Sequence, residues 1–166
     1  MKGGFMSDVV YTEVMDHTIV ACADAVIVDR SQKIFYLAKR ISLPWRGVWC
    51  IGGRRRKGET PLESVKHNFQ RETGLELAEE RFSFVTITEY IFQERAQEPR
   101  NKGSHTTCHQ FWVELTSGEL ERVERGLDKE EYEQEFGLQK YDRQRLVEEE
   151  VCPPILLFYD LIFPQV

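Results

Sequence analysis

The feature that most limits how this chain can fold is the stretch VWCIGGRRRKGETPLESVKHNFQRETGL, running from Val48 to Leu75. Its apolar start, Val48 to Ile51, reads as a short strand that leaves through Gly52 and Gly53 into the basic loop Arg54 to Gly58. Glu59 follows, and then Thr60-Pro61-Leu62-Glu63 supplies an N-cap hydroxyl, a proline at the first helical position and a glutamate three residues after the cap. Leu62, Val65 and Phe69 recur at helical spacing and predict a core-facing stripe, and Gly74 is placed to end the helix in a left-handed conformation. Ser64, Asn68 and Glu72 fall on another face of the same helix. Strand, glycine pair, basic loop and capped helix thus form one unit.

Around this unit the pattern is that of an α/β protein. The run IVACADAVIV, Ile19 to Val28, is almost wholly apolar and β-branched at its end, as expected of a central strand covered on both faces. A polar turn, Asp29 to Lys33, separates it from Ile34 to Ala38, which predicts a hairpin ending at Lys39 and Arg40. Phe82 to Phe92 reads as a further strand, followed by the polar loop Gln93 to Ser104 and a returning strand near Thr106 to Leu115. An acidic segment spans Glu119 to Glu135, a polar helix is expected near Asp142 to Glu150, and Ile155 to Phe163 can pack as a terminal apolar helix after Pro153 and Pro154. With 166 residues and no long polar or Pro/Gly-rich break, residues 19–166 are expected to make one domain, with 1–18 an N-terminal extension or edge strand.

Composition removes several classes of function. A 41% apolar and 30% charged chain with no run of about 18 apolar residues has neither a disordered nor a membrane composition. The formal net charge of −6 argues against broad attraction to nucleic acid, although Arg54, Arg55, Arg56 and Lys57 make a local basic patch suited to phosphate. Cys22, Cys50, Cys108 and Cys152 lack CxxC spacing, so neither a zinc site nor a disulfide framework is indicated, and a reducing cytoplasm is the expected location.

The strand-loop-helix unit resembles the Nudix box, G-x5-E-x7-R-E-U-x-E-E-x-G-U with U a bulky apolar residue. Gly53, Glu59, Phe69, Glu72, Gly74 and Leu75 match it in unbroken register. His67 stands where the family has arginine, and Asn68 and Arg71 stand where it has the first and second helical glutamates. The flanks AVIVDRSQKIFYLAKR and LPWRGVWCIGGR are similar to the branch that hydrolyses GDP-mannose, which also keeps only the last helical glutamate. The resemblance implies a Nudix-type α/β/α sandwich with a mixed β-sheet. It further implies Mg²⁺-dependent breakdown of a nucleoside diphosphate derivative, most readily an NDP-sugar, with Mn²⁺ the alternative metal and a homodimer common in that branch.

Carried over to this chain, the resemblance makes the Gly53 carbonyl and the Glu72 carboxylate metal ligands and places Arg40 and Arg54 on the diphosphate. Gln134, in the segment Glu130 to Phe136, would complete the metal site, and Glu133 or Glu135 would act as base where the branch has a histidine. Arg71 would either meet a phosphate through its fork of donors or point into solvent. Glu59 is expected to contact His67 across the loop.

Other residues admit a bland reading beside a functional one. His109 is either a packed strand residue or part of the substrate site, Trp45 and Trp49 are core or a base-stacking surface, and Arg95, Arg100 and Lys102 are a mobile loop or a substrate clamp. Three functions compete: an NDP-sugar hydrolase that attacks the sugar carbon, a pyrophosphohydrolase of another nucleoside diphosphate derivative, and a Nudix-fold nucleotide-binding or regulatory domain without catalysis. An RNA-binding role for Arg54 to Lys57 is disfavoured, because no aromatics interleave with that run.

Overall fold

The apolar run that opens the fold forms β1, Val20–Asp29, and the computed structural model, which describes residues 6–164, places it at the centre of a mixed sheet. The polar turn returns the chain as β2, Ile34–Arg40, antiparallel to β1 with Val28 opposite Phe35. The expected single strand at Val48 to Ile51 is split in two. β3, Gly47–Trp49, pairs with β2, whereas β4, Ile51–Arg54, pairs with the first half of β1. The switch of partner falls at the buried Cys50 and turns the chain across β1, so that Gly53 comes opposite Ala23. Gly52 is required there, since a Cβ would lie 2.3 Å from Asp24 Oδ1 and 2.5 Å from Asp24 Cα.

The box helix is α2, Pro61–Thr73. Thr60 caps it with a complete capping box, and Gly74 ends it at φ 68°. After it come β5, Ser83–Phe92, and β6, Ser104–Glu114, the latter parallel to β1 and antiparallel to β5. The acidic segment contributes α3, Ser117–Gly126, and then β7, Gln139–Tyr141, pairs with β2. Two helices close the chain, α4 over Arg143–Glu148 and α5 over Pro153–Ile162.

Alternation along β1 divides the core in two. Ala23, Ala25 and Ile27 face Val65 and Phe69 of α2 and Val123 of α3, and the two small alanines let α2 lie close to the sheet. Val26 and Val28 face the other way, toward Ile155, Phe158 and Tyr159 of α5. Burying Phe69 and Val65 completely is worth about 1.5 to 3 kcal/mol each, enough to dock α2 firmly on β1. This is the expected α/β/α sandwich. All four cysteines are free, and among the described residues no helix is long and apolar enough to cross a membrane.

The amino-terminal segment, open in sequence between extension and edge strand, is helical from Asp8 to His17 and is labelled α1; residues 1–5 of it lie outside the described residues. Ser7 caps the helix, and Met15 is its one buried side chain. The loop Gln93 to Ser104 is pinned to α1. Arg95, 1% exposed, sets its Nη1 2.5 Å from Asp16 Oδ1, and Lys102 Nζ lies 2.6 Å from Asp16 Oδ2.

Candidate active site

The cap on α2 fixes where its last turn ends, and that turn delivers Glu72 beneath the glycine pair of β4. Glu72 is only 1% exposed. Its Oε2 accepts from Gly52 N at 3.1 Å and from the Tyr132 hydroxyl, and its Oε1 accepts from Arg71 Nη2 at 2.5 Å. Burial pushes the Glu72 carboxyl up to about 7, against the opposing pull of Arg71, the Tyr132 hydroxyl and Arg40. At the other end of α2 the expected contact is present: Glu59 accepts from Ser64 Oγ at 2.9 Å and lies 3.1 Å from His67 Nδ1, tying the loop to the helix.

Glu72 sits in the wall of a cavity of about 380 Å³ bounded by α1, the glycine pair and strands β1, β5 and β6. Arg40, Arg54, Arg56 and Arg71 all line it, from β2, β4, the basic loop and α2 respectively. Arg40 Nη2 donates to Glu131 Oε2 at 2.7 Å and to Ser42 Oγ at 2.8 Å, and Ser42 hydrogen-bonds the same carboxylate. The Arg54 guanidinium stacks 4.2 Å from the Tyr11 ring centroid, so α1 covers one expected phosphate-binding residue. Asp24 lies on the cavity wall at 5% exposure, its carboxyl raised to about 6 by burial with Arg40 opposing.

The structure brings Gly53, Glu72, Arg40, Arg54 and Arg71 together and leaves four other expected site residues elsewhere. Glu133 Oε2 pairs with Lys39 Nζ at 2.6 Å on the surface, and Glu135 is exposed. Gln134 turns its amide back to the chain, donating to Tyr132 O at 3.0 Å and Leu127 O at 3.3 Å. What reaches the site from this segment is Tyr132, fully buried against Glu72, and Glu131 on Arg40. The reason is pairing: the antiparallel bridge of Tyr132 to Arg40 lays this segment along β2, which sets the Tyr132 ring against Glu72 and Glu131 on Arg40, while Glu133 leaves to Lys39 on the surface. A signal existed in the sequence, since Tyr132 is the one apolar residue between Glu130 and Glu135.

His109 is also elsewhere. Ser104, Thr106 and Cys108 of β6 line the cavity, so His109 faces the opposite side of the sheet, where its ring is 6.3 Å from Phe84. Burial and then Arg55 lower its pKa, which favours the neutral ring. Trp49 is core at 3% exposure, in ring contact with Trp45 and Tyr90. Arg100 pairs with Glu98. Asp24, Tyr11 and Tyr90 enter the cavity unannounced by any local motif.

No protein-family model matches the chain, and no curated protein does. Solved structures do match. A MutT Nudix hydrolase from Burkholderia pseudomallei superposes with a TM-score of 0.59 at 19% identity, over 82% of this chain and 100% of that one. A MutT protein from Methanosarcina mazei gives 0.61 at 13% identity, over 87% and 92% of the two chains. The dihydroneopterin triphosphate pyrophosphohydrolase of E. coli gives 0.57 at 11% identity, over 84% and 92%. The fold is the Nudix fold. At these identities the likeness is one of fold, and the chemistry must be argued from the site itself.

Within the Nudix fold, the divalent cation implied by the box can be tested against the donors present. Asn68 Nδ2 donates to Gly53 O at 2.8 Å and lies 3.3 Å from Ala23 O and 3.4 Å from Arg54 O. Three carbonyls around one amide group require its N–H side, not its oxygen, to face them. The Gly53 carbonyl therefore already accepts a hydrogen bond, and Glu72 is already paired with a cation. Among the described residues no group of three or more His, Cys, Asp or Glu side chains could hold a metal. This donor set does not fit Mg²⁺ or Mn²⁺.

Proposed function

We propose that this chain hydrolyses a nucleoside diphosphate derivative, an NDP-sugar, by attack of water on the sugar carbon. The observation that carries the reading is the convergence of Arg40, Arg54, Arg56 and Arg71, from four separate parts of the chain, on one cavity walled by a buried glutamate. Guanidinium groups recognise diphosphate oxygens through paired N–H donors and stabilise the charge that builds on a departing diphosphate. In the reaction the water oxygen bonds to the sugar carbon, the bond from that carbon to the diphosphate oxygen breaks, and the diphosphate leaves into the arginines. Glu72 is the carboxylate assigned to take the proton from water. Positive charge developing on the sugar ring lets water attack with weak activation.

A second reading, a Nudix-fold nucleotide-binding domain without turnover, is favoured by the Asn68 contact to Gly53 and the Arg71 pair with Glu72. Product analysis on NDP-sugars and dinucleoside diphosphates in isotopically labelled water, comparing wild type with Glu72→Gln, decides between the readings. Label in the free sugar and loss of turnover in the variant support hydrolysis at carbon. Label in phosphate moves the attack to phosphorus, and equal rates in the two proteins remove Glu72 from the chemistry. Nucleotide binding with no product, whether or not Mg²⁺ or Mn²⁺ is added, establishes the binding domain.

A further inference from the structure

Three side chains of α2 meet the backbone of Gly53. A Cβ built on Gly53 would lie 3.1 Å from Arg71 Nη2, 3.7 Å from Glu72 Oε1 and 3.9 Å from Asn68 Nδ2. The Asn68 amide donates to the glycine carbonyl, and the Arg71 guanidinium is 2.5 Å from the Glu72 carboxylate. An incoming divalent cation would meet N–H dipoles at the carbonyl and a fixed positive charge at the carboxylate, and both repel it. Yet what a cation does in such a place, neutralising the carboxylate and presenting positive charge to the cavity, is already done by Arg71.

We infer that Arg71 takes the place of a divalent cation in this protein, and that the cavity binds the diphosphate of its ligand without metal. The inference rests on reading the cavity as a diphosphate site. Arg71 lines the cavity and its side chain is 30% exposed, so it is within reach of a ligand. A guanidinium carries five N–H donors and cannot lose its charge near neutral pH, so the contact to Glu72 leaves donors for phosphate oxygens. Arg40 lines the same cavity, acts electrostatically on Glu72 and adds a second guanidinium, held by Glu131 and Ser42. Asn68 adds no negative charge beside Gly53, where a carboxylate would draw metal in.

The consequence separates this site from a metal-dependent one. Mg²⁺ in solution chelates a diphosphate and lowers its negative charge, so a site built on arginines alone should bind the free anion as well as or better than its Mg²⁺ complex. Calorimetric titration of the whole protein with GDP, ADP and inorganic pyrophosphate, in EDTA and in excess Mg²⁺, measures this directly. Equal or tighter binding in EDTA is expected, with Arg71→Gln weakening it about tenfold or more and Arg71→Lys recovering part of the loss. The paired substitution Asn68→Glu and Arg71→Glu restores two carboxylates. It should introduce Mn²⁺ binding, seen by electron paramagnetic resonance, that the wild type lacks.

Binding that is at least tenfold tighter in Mg²⁺ than in EDTA would overturn the inference and leave the diphosphate site standing. An Arg71→Gln protein that melts as wild type does and binds all three probes equally well would also overturn it. No binding of any probe in either condition removes the diphosphate reading and the inference together.

Discussion

Tyr132 donates its phenolic hydroxyl to the Glu72 carboxylate, joining a loop residue to a helix residue sixty positions away. Both are buried, so the contact is made where an unsatisfied polar group is expensive. Tyr132→Phe should lower stability by about 1 to 3 kcal/mol in urea unfolding. It should also raise the Glu72 pKa further, because the hydroxyl now holds it down, and carboxyl-directed NMR titration would register the shift. An unchanged Glu72 titration would mean that the hydroxyl does not face the carboxylate in solution.

Asp24 sets part of the pH dependence of stability. Its folded pKa of about 6 lies above the ordinary aspartate value of 3.8, because burial opposes its charged form. Below about pH 4 both folded and unfolded chains hold the proton. Between about 4 and about 6 the folded protein keeps a proton that the unfolded chain has lost, so stability falls as pH rises, and above about 6 the loss is complete. Asp24→Asn removes this contribution. The variant's gain over wild type should be small at pH 4, grow as pH rises to about 6, and level off on the order of 2 to 3 kcal/mol above that. Urea unfolding at pH 4, 6 and 8 checks the sign.

The capping box of α2 is predicted to matter beyond the helix itself. Thr60 Oγ1 accepts from Glu63 N at 3.2 Å, and Glu63 Oε2 accepts from Thr60 N at 2.8 Å. Thr60→Ala should cost about 0.5 to 2 kcal/mol. Since α2 carries Asn68, Arg71 and Glu72 at its other end, the variant should keep its ligand affinity if the helix stays docked through Val65 and Phe69. Thermal melting and nucleotide titration on one preparation test both halves.

Asp16 holds Arg95 and Lys102 together and so fastens the segment Gln93 to Ser104 to α1. Asp16→Asn leaves the buried Arg95 guanidinium without its anionic partner. Faster amide hydrogen exchange is expected in residues 93–103 and in α1, with β1 and α2 unchanged. Exchange rising equally across the sheet would show instead that the whole domain had been destabilised.

Much of this molecule was legible because its signals are local. The N-cap at Thr60, the stop at Gly74 and the apolar period between them sufficed to place α2, and the Glu59 and His67 pair could be expected from an eight-residue spacing. The split of Val48 to Ile51 was not legible, because it depends on two different partners: Trp49 pairs with Ala38 and Ile51 with Ala25. Nor was α1's place over the cavity, which depends on Tyr11 meeting Arg54 and Asp16 meeting Arg95.

By itself the sequence determined the strand-loop-helix unit, the central apolar strand and the residues Gly53, Arg71 and Glu72 at one helix end. Only the tertiary structure decided which side chains of Glu130 to Phe136 face Glu72, because the Arg40 to Tyr132 bridge sets how that segment lies along β2, which no local pattern specifies. It also decided that Asn68 and Arg71 occupy the carbonyl and the carboxylate left beside them. Hydrogen bonds and charge pairs form between whatever groups the packing of α2 on β1 and β4 brings within about 3 Å, and that packing is a property of the whole fold.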